Sequence, residues 1–354
     1  MSATGRVVVY EPDGVNPYGR EIALLLAASG LDVCVVLAQD AGWTPPAVGV
    51  RRTLPRNGPA PHRTLQAFAL ARSLGWCLAM ALLRPRTTWL VVWTRSVADE
   101  LLFALLARLG RRVVLVVHNP GSRQPPGRLR ASSTRVLRGA ATVGVAHSDE
   151  LRTELQPQRS GKDVVVCPHP PYSGWWQDHA PAVDRSPSDV LVLGQLQPHK
   201  GLEQLPAILD LLPAHIRAWL TLTLCGKGSL DAGLATELAA RVRVVDRTSR
   251  GFVSDAELAL ELGRAAVLLA PYRGATQSGT VALALTAGLR VVAFEDGAVA
   301  DLVDDSGLVP PGDAARFARR VVDSLEEGRA GGPRLPLSTW REQARSAWAD
   351  AVVS

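Results

Sequence analysis

The chain has 354 residues, of which 47% are hydrophobic and 20% charged, and it carries a net charge of +6. This composition excludes a disordered protein and is typical of a globular chain long enough for two domains. The four cysteines lie far apart, in or beside apolar runs, and lack metal-ligand spacing, so we interpret them as reduced core residues of a cytoplasmic protein. The opening residues MSATGRVVVYEPDG predict a first strand, not a secretory signal.

The first half alternates short apolar runs with helical segments, which predicts a parallel sheet covered by helices on both faces. The predicted strands are residues 6–10, 33–37, 88–93, 113–117, 141–146 and 164–167. The predicted helices are residues 21–29, 67–83 and 98–109. Together these elements indicate an N-terminal Rossmann-like domain over residues 1–170.

The same alternation restarts after residues 171–188, a segment rich in Pro, Ser and Trp that we interpret as a linker. Strands are predicted at residues 190–193, 220–224, 242–245, 267–269 and 291–294, and helices begin at Leu202, Leu230, Asp255 and Ser278. A second doubly wound domain is therefore predicted over residues 189–335. Residues 336–354 are expected to pack back on the first domain. The predicted class is α/β, with two doubly wound Rossmann-like domains facing each other across a cleft.

Charge is distributed unevenly along the chain. Residues 1–185 carry 22 Arg and Lys against 13 Asp and Glu, a balance of +9, whereas the remainder carries 17 against 20, a balance of −3. This asymmetry favours an anionic partner for the first half, with codon bias towards arginine as the alternative. Nucleic acid is not the expected partner, because the arginines are scattered and are not interleaved with stacking aromatic residues.

The longest apolar stretch, residues 64–83, contains Arg72 and is too short in its uncharged part to span a membrane. Two interpretations stay open: a core helix of the first domain, or a helix in a membrane interface with Trp76 at headgroup depth. Under the second interpretation the accompanying arginines are Arg51, Arg52, Arg56, Arg63, Arg72, Arg84 and Arg86.

Residues 270–288, APYRGATQSGTVALALTAG, predict a strand, a loop and a helix that opens at Ser278 and Gly279. The start of a helix offers unpaired N–H groups and partial positive charge, so a diphosphate suits it. An ordinary serine N-cap is the simpler alternative. Residues 191–201, LVLGQLQPHKG, place Gly194 at a strand end and Lys200 before the next helix, where a lysine can pair with the same phosphates. A solvated lysine is the alternative there.

Taken in chain order, these segments resemble the retaining glycosyltransferases with GT-B fold. Within the glycosyl transferases group 1 they resemble the family-four-like members, in the subset with a TQSG-type donor phosphate loop. The matching segments of the second half are LVLGQLQPHKG, LTLCGKGS, RGFVSDAELA, PYRGATQSGTVALALTAGLRVVAF and DLVDDSGLVPPGD. The first half matches more loosely, through PYGREIALLL, VVLVVHNPG, VAHSDEL and VVVCPHPPY. The resemblance implies an acceptor-side first domain and a second domain that binds a nucleotide sugar.

The resemblance also implies residue roles. Lys200 would bind the donor diphosphate and His118 the transferred sugar or the phosphate, as the two catalytic residues. A buried histidine bonded to a backbone carbonyl is the alternative for His118, and His147 and His169 are expected to fix strand ends. The implied substrate-binding residues are Asn16, Tyr18, Gly19, Asn119, Gly194, Gln195, Gly226, Phe252, Val253, Tyr272, Arg273, Gln277, Ser278, Gly279 and Thr280.

Three positions depart from the family pattern. Gln195 stands where many members have arginine, and Thr276 and Leu283 stand where many have a pair of glutamates, the second of which usually binds the donor ribose. A non-catalytic GT-B partner or sensor subunit with a degenerate donor site is therefore an alternative. A sugar–nucleotide epimerase or a phosphorylase is a further one, although no lysine here indicates a pyridoxal cofactor.

The resemblance implies hexosyl transfer with retention, from a nucleotide-diphosphate sugar to a saccharide or lipid-linked saccharide, in polysaccharide or glycoconjugate synthesis. No Asp-x-Asp motif is evident, so we expect metal independence and no cofactor beyond the nucleotide-sugar co-substrate. The expected location is the cytoplasm. An added hypothesis is peripheral attachment to an anionic membrane surface, at the inner face of the plasma membrane.

Overall fold

The computed structural model describes residues 5–12, 17–38, 43, 45, 47–54, 63–118, 127–159, 161–249, 253–273, 278–326 and 330–354. The chain divides into two compact units. Unit 1 comprises Met1–Pro170 and Arg341–Ser354, and unit 2 comprises Pro171–Trp340.

Unit 1 is a parallel sheet with helices between its strands. Its elements are β1 (Arg6–Tyr10), α1 (Tyr18–Ala28), β2 (Asp32–Ala38), β3 (Gly49–Leu54), α2 (Arg63–Leu83), β4 (Thr88–Val91), α3 (Val97–Arg108), β5 (Val113–Val116), α4 (Arg128–Ala140), β6 (Val143–Ala146), α5 (Asp149–Leu155) and β7 (Val164–Val166). The strand order is β3-β2-β1-β4-β5-β6-β7, and every pair is parallel. Because helices cover both faces, the strands read as nearly continuous runs of valine and leucine.

Unit 2 repeats this architecture. Its elements are α6 (Ser173–His179), β8 (Asp189–Leu193), α7 (Leu205–Asp210), α8 (Ala214–Trp219), β9 (Thr221–Lys227), α9 (Ala232–Ala239), β10 (Arg243–Ser249), α10 (Asp255–Arg264), β11 (Val267–Ala270), α11 (Gly279–Thr286), β12 (Arg290–Phe294), β13 (Leu308–Val309) and α12 (Ala314–Glu326). The strand order is β10-β9-β8-β11-β12-β13, again parallel throughout. The order reverses between β8 and β11, and such a reversal is where open α/β sheets bind ligands, at the carboxyl ends of the strands.

The last helix, α13 (Leu337–Val353), starts in unit 2, and its residues from Arg341 onward belong to unit 1. Trp348 is fully buried there, and its indole Nε1 donates to the carbonyl of Pro168 at 3.1 Å. The Arg112 guanidinium donates to the carbonyls of Ala351 and Val352, in the last turn of the helix. A cation at the carboxyl end of a helix is favourable, because the helix dipole is negative at that end.

The sequence-predicted α/β class with two doubly wound parallel sheets is confirmed. The sequence did not predict β3, α4, α5, β13 and α12, and it predicted one helix from Leu202 where the structure has α7 and α8. The segment interpreted as a linker contains α6, whose Trp175 is buried, and the segment belongs to unit 2. No helix in the described part of the chain is long and apolar enough to cross a membrane.

Candidate functional site

In unit 2 the candidate site lies at the carboxyl ends of β8 and β11, which flank the reversal of strand order, and of β9, the next strand beside β8. Lys200 ends a short 3-10 turn that follows β8, and it is only 8% exposed. Its Nζ lies 3.9 Å from the centroid of the Tyr272 ring, directly after β11. Across the described residues, no carboxylate forms an ion pair with Lys200. A buried ammonium without a counter-charge is costly, so an anionic ligand is its expected partner.

Gly194 brings the backbone of β8 against Lys200 and the start of α11. Its φ is +110°, a conformation that favours glycine. A methyl group at this position would lie 3.1 Å from Oγ1 of Thr280 and 3.4 Å from Nζ of Lys200. At Gly226, near the end of β9, a methyl group would lie 2.0 Å from the carbonyl oxygen of Gly194. Gly194 and Gly226, both predicted as substrate-binding residues, therefore leave the space beside Lys200 and the end of β9 free of side chains.

Helix α11 begins beside Lys200 with two backbone donors. Ser278 is its N-cap, and the serine Oγ accepts the N–H of Val281 at 3.2 Å while the serine carbonyl accepts that of Ala282. The N–H groups of Gly279 and Thr280 have no acceptor among the described residues. The simple N-cap interpretation of Ser278 is thus correct, and it leaves two N–H groups that can bind an anion.

Tyr272 and Arg273 differ in their surroundings, although they are neighbours in sequence. Tyr272 is buried, and its hydroxyl has no hydrogen-bond partner among the described residues. Arg273 is largely exposed and forms an ion pair of 2.9 Å with Glu203, while its backbone N–H donates to the carbonyl of His199. The sequence did not indicate Glu203 as a neighbour, because the two residues lie 70 positions apart.

The remaining predicted residues of unit 2 divide into two groups. Gln195 is exposed directly after Gly194, and Val253 is half-buried directly before Ser254, the N-cap of α10. Phe252 and Gln277 lie outside the described residues. Leu283, where the resemblance implies a ribose-binding glutamate, is a buried residue of α11.

In unit 1, Tyr18 and His147 form a directed hydrogen-bond chain. Nδ1 of His147 lies 2.7 Å from the carbonyl oxygen of Cys167, so Nδ1 carries the ring proton and donates it. Nε2 then accepts from the Tyr18 hydroxyl at 2.6 Å. Burial lowers the pKa of His147 to about 4, which keeps the ring neutral near pH 7. His147 follows β6 and Cys167 follows β7, so this histidine ties two strand ends together, as the sequence predicts.

His118 also contacts a backbone carbonyl. Its ring stacks on Trp93 with centroids 3.6 Å apart and planes 7° apart, and its Nε2 lies 3.1 Å from the carbonyl oxygen of Val92. The edge of Tyr18 faces the rings of His118 and His169 at 5.1 and 5.0 Å. His118 therefore makes the backbone contact that the alternative interpretation expects, and its contact with a sugar stays a prediction.

Gly19 lies in the first turn of α1. A methyl group there would lie 2.6 Å from Oε2 of the buried Glu11, so any side chain at this position would displace the Glu11 carboxylate. Asn16 and Asn119 lie outside the described residues. In the parts of the chain that the structure describes, no three His, Cys, Asp or Glu side chains are grouped as metal ligands would be.

Comparison with known proteins adds the family and the fold. Residues 187–327 match the model of the family Glycosyl transferases group 1. No curated protein matches the sequence significantly. Sucrose-phosphate synthase from Thermosynechococcus elongatus is similar in structure, with a TM-score of 0.63 and 18% identity over 99% of this chain and 96% of that one.

Two further solved structures give the same picture. Anabaena HepE in complex with UDP-glucose has a TM-score of 0.59 at 15% identity, over 98% of this chain and 95% of that one. WaaG, a glycosyltransferase involved in lipopolysaccharide biosynthesis, has a TM-score of 0.59 at 16% identity over the same shares. Identities this low show the fold alone. Residues 187–327 are therefore similar to the Glycosyl transferases group 1 family, and the chain has the GT-B fold.

Proposed function

We propose that the chain is a hexosyltransferase that moves a sugar from a nucleotide-diphosphate sugar to a saccharide or lipid-linked saccharide, with retention, in polysaccharide or glycoconjugate synthesis. The observation that carries this proposal is Lys200, a buried cation beside the open N–H groups of α11 and without a carboxylate partner in the described structure. The family match over residues 187–327 supports it, as does the UDP-glucose complex of the structurally similar HepE.

In the proposed reaction the diphosphate of the donor binds between Lys200 and the N–H groups of Gly279 and Thr280. The bond between the anomeric carbon and the diphosphate oxygen breaks, and negative charge develops on that oxygen. Lys200 and the helix dipole stabilise this charge without rearranging, which lowers the barrier. The acceptor hydroxyl bonds to the anomeric carbon on the same face, and its proton passes to the leaving phosphate oxygen. No protein carboxylate acts as nucleophile.

Tyr272 has a positioning role in this proposal. The face of its ring attracts the Lys200 ammonium at 3.9 Å, and the low exposure of both residues keeps water from weakening the contact. An ammonium held by a ring keeps its N–H groups available for phosphate oxygens, whereas a carboxylate partner would compete with the phosphate. Lys200 is thus fixed in place and still able to bind an anion.

A non-catalytic protein that binds a nucleotide sugar is the second candidate. Leu283 favours it, because a buried leucine cannot accept the hydrogen bond from the ribose that the family's glutamate accepts. The two candidates share donor binding and differ in turnover. His118 and the other predicted residues of unit 1 belong to the first candidate only.

The proposal includes metal independence, the absence of a cofactor other than the co-substrate, and a cytoplasmic location. For a lipid-linked acceptor it adds peripheral attachment to the inner face of the plasma membrane, because the acceptor's sugar lies at a lipid surface.

A panel of nucleotide sugars tests the proposal. The melting temperature is measured with UDP-, GDP-, ADP- and dTDP-linked hexoses, since a selective ligand stabilises the folded state by mass action. Each stabilising donor is then incubated with saccharide acceptors, and the product's anomeric configuration is determined by NMR. Product with the donor's configuration supports a retaining transferase. Stabilisation without product supports the non-catalytic candidate, and no stabilisation by any donor contradicts both.

A further inference from the structure

Residues 41–148 of unit 1 carry sixteen arginines and only two acidic residues, Asp99 and Glu100. Both acids are buried, and neither exposes charge. Asp99 closes the capping box of α3, and Glu100 accepts hydrogen bonds from Thr94 and Thr134 and lies 3.3 Å from the guanidinium of Arg130. In the described part of this stretch, the charge presented to solvent is therefore positive.

Helix α2 presents an apolar face to solvent within this basic region. Between residues 67 and 83 nine side chains are exposed, and eight of them are apolar, glycine included. The exposed residues are Ala67, Phe68, Ala71, Arg72, Gly75, Leu78, Ala79, Leu82 and Leu83. Leu82 is 62% exposed and Leu83 79%. Apolar surface of this extent on a helix is unusual for a soluble monomer and marks an interaction site.

Helix α3 continues the apolar surface, because it packs against α2. Leu101, Leu105 and Leu109 follow one another at intervals of four residues and so lie along one side of the helix, each about half exposed. Exposed arginines follow or end both helices: Arg84 and Arg86 after α2, and Arg108 in the last turn of α3. Both helices run opposite to the parallel strands, so these arginines lie at the same end of the sheet.

Trp76 does not belong to this surface. It is half-buried and packs on the core of unit 1, and the Arg51 guanidinium lies 5.6 Å from its ring centroid. The packing of Trp76 favours the core-helix interpretation for that side of α2, and the large apolar side chains that α2 exposes are Phe68 and the leucines.

We propose that the exposed residues of α2 and α3 together with Arg84, Arg86 and Arg108, here called the α2–α3 face, dock on an anionic lipid bilayer. A bilayer interface provides an acyl boundary for the leucines and anionic headgroups for the arginines. A lipid surface fits better than a protein partner, because the α2–α3 face has no exposed acidic side chain. It consists mostly of leucine, alanine and arginine. The inference names the surface for the peripheral attachment proposed above, and it does not depend on the donor site of unit 2.

Vesicle binding with matched variants tests this inference. The full chain is sedimented with phosphatidylcholine vesicles that contain 0 or 30% phosphatidylglycerol, at low and at high salt. The apolar variant is Leu82→Gln/Leu105→Gln, with Leu211→Gln/Trp219→Gln in unit 2 as its control, since those side chains are also about half exposed. The charge variant is Arg84→Gln/Arg86→Gln, with the exposed pair Arg316→Gln/Arg319→Gln of α12 as its control.

We expect the wild-type chain to bind the anionic vesicles and to dissociate at high salt, because the attraction decays within a Debye length. The partition coefficient of the charge variant should fall roughly thirtyfold. Each of the two arginines contributes about 1 kcal/mol, and about 1.4 kcal/mol corresponds to a tenfold change. The apolar variant should lose on the order of a hundredfold, while both controls bind like the wild type.

A labelled variant separates insertion from other contacts. A solvent-sensitive fluorophore on Leu105→Cys should shift to shorter wavelength with anionic vesicles, and the same label on Leu211→Cys should not. Equal binding to neutral and anionic vesicles, variants that bind like their controls, or self-association through this face without lipid would each overturn the proposal. Donor-induced melting shifts, measured on the same variants without vesicles, report on unit 2 separately.

Discussion

Buried ionisable side chains are satisfied differently in the two units. In unit 1, His147 uses both ring nitrogens within the protein, and Glu100 has hydroxyl and guanidinium partners. In unit 2, Lys200 contacts the ring of Tyr272 and forms no ion pair within the described structure. Side chains that find hydrogen-bond and ion-pair partners within the chain stabilise the fold. A buried cation without an ion-pair partner is instead suited to binding an anionic ligand.

The helix starts repeat this contrast. Helix α3 supplies its own anion, because the Asp99 carboxylate accepts the N–H groups of Arg95 and Ser96 at its first turn. Helix α11 has the same serine N-cap but no acidic residue in its first turn, and it leaves the N–H groups of Gly279 and Thr280 without an acceptor in the described structure. The two helix starts therefore differ in charge, because α3 carries a carboxylate in its first turn and α11 does not.

Adding a carboxylate to the first turn of α11 should give the largest effect. In Thr280→Asp the new carboxylate would stand near Lys200 and occupy the place of the diphosphate. We expect donor affinity to fall by several kcal/mol, about 10²–10³-fold, because an unpaired like charge then faces the phosphates. Calorimetric titration with the selected nucleotide sugar measures this loss, and Thr280→Asn is the neutral control of matching shape. Unchanged donor affinity in Thr280→Asp would place the diphosphate elsewhere.

Acid should destabilise unit 1 through His147. Because burial lowers its folded pKa to about 4 from the ordinary 6.5, the unfolded chain binds the proton first, and stability falls as the pH drops from 6.5 towards 4. The contribution at pH 4.5 is about 2–3 kcal/mol relative to pH 7. Urea unfolding at both pH values should show a smaller difference for His147→Gln than for the wild type. An equal difference would mean that His147 does not titrate in this window.

Replacing the ring beneath Lys200 should give a smaller effect. Tyr272→Leu removes the attraction for the ammonium, worth about 1–2 kcal/mol at a buried site, and should lower kcat/KM about 5–30-fold. Tyr272→Phe keeps the ring and should lose at most a few-fold. Kinetics of both variants measure the difference, and equal losses would show that the hydroxyl, not the ring, matters.

Removing divalent cations should have no effect. The proposed stabilisation of the leaving diphosphate comes from Lys200 and the start of α11, so transfer should proceed with excess EDTA at the rate measured without it. Initial rates with EDTA, and after addition of Mg²⁺ or Mn²⁺, test this directly. A loss of activity that either metal restores would assign the neutralisation of the diphosphate to a cation.

The sequence predicted most of the fold because burial on both faces leaves a clear pattern. Strands β1 and β8 read as unbroken apolar runs, whereas the edge strand β3 carries two arginines in GVRRTL and was missed. The order of Gly194, Lys200 and Ser278 could be predicted, since each follows a strand. The contact of Tyr18 with His147 joins residues 129 positions apart, so no local pattern indicates it. Likewise, no pattern indicates that the ring of Tyr272 lies beneath Lys200.

Calorimetric titration with UDP, GDP and ADP tests most directly whether Lys200 binds a donor diphosphate. The proteins compared are the wild type, Lys200→Ala and Lys162→Ala, the last removing an exposed lysine of unit 1. We expect one nucleotide to bind the wild type, Lys200→Ala to weaken that binding by about 2 kcal/mol or more, roughly thirtyfold, and Lys162→Ala to leave it unchanged. Equal affinity of Lys200→Ala and the wild type, or no binding of any of the three nucleotides to the wild type, would contradict this assignment.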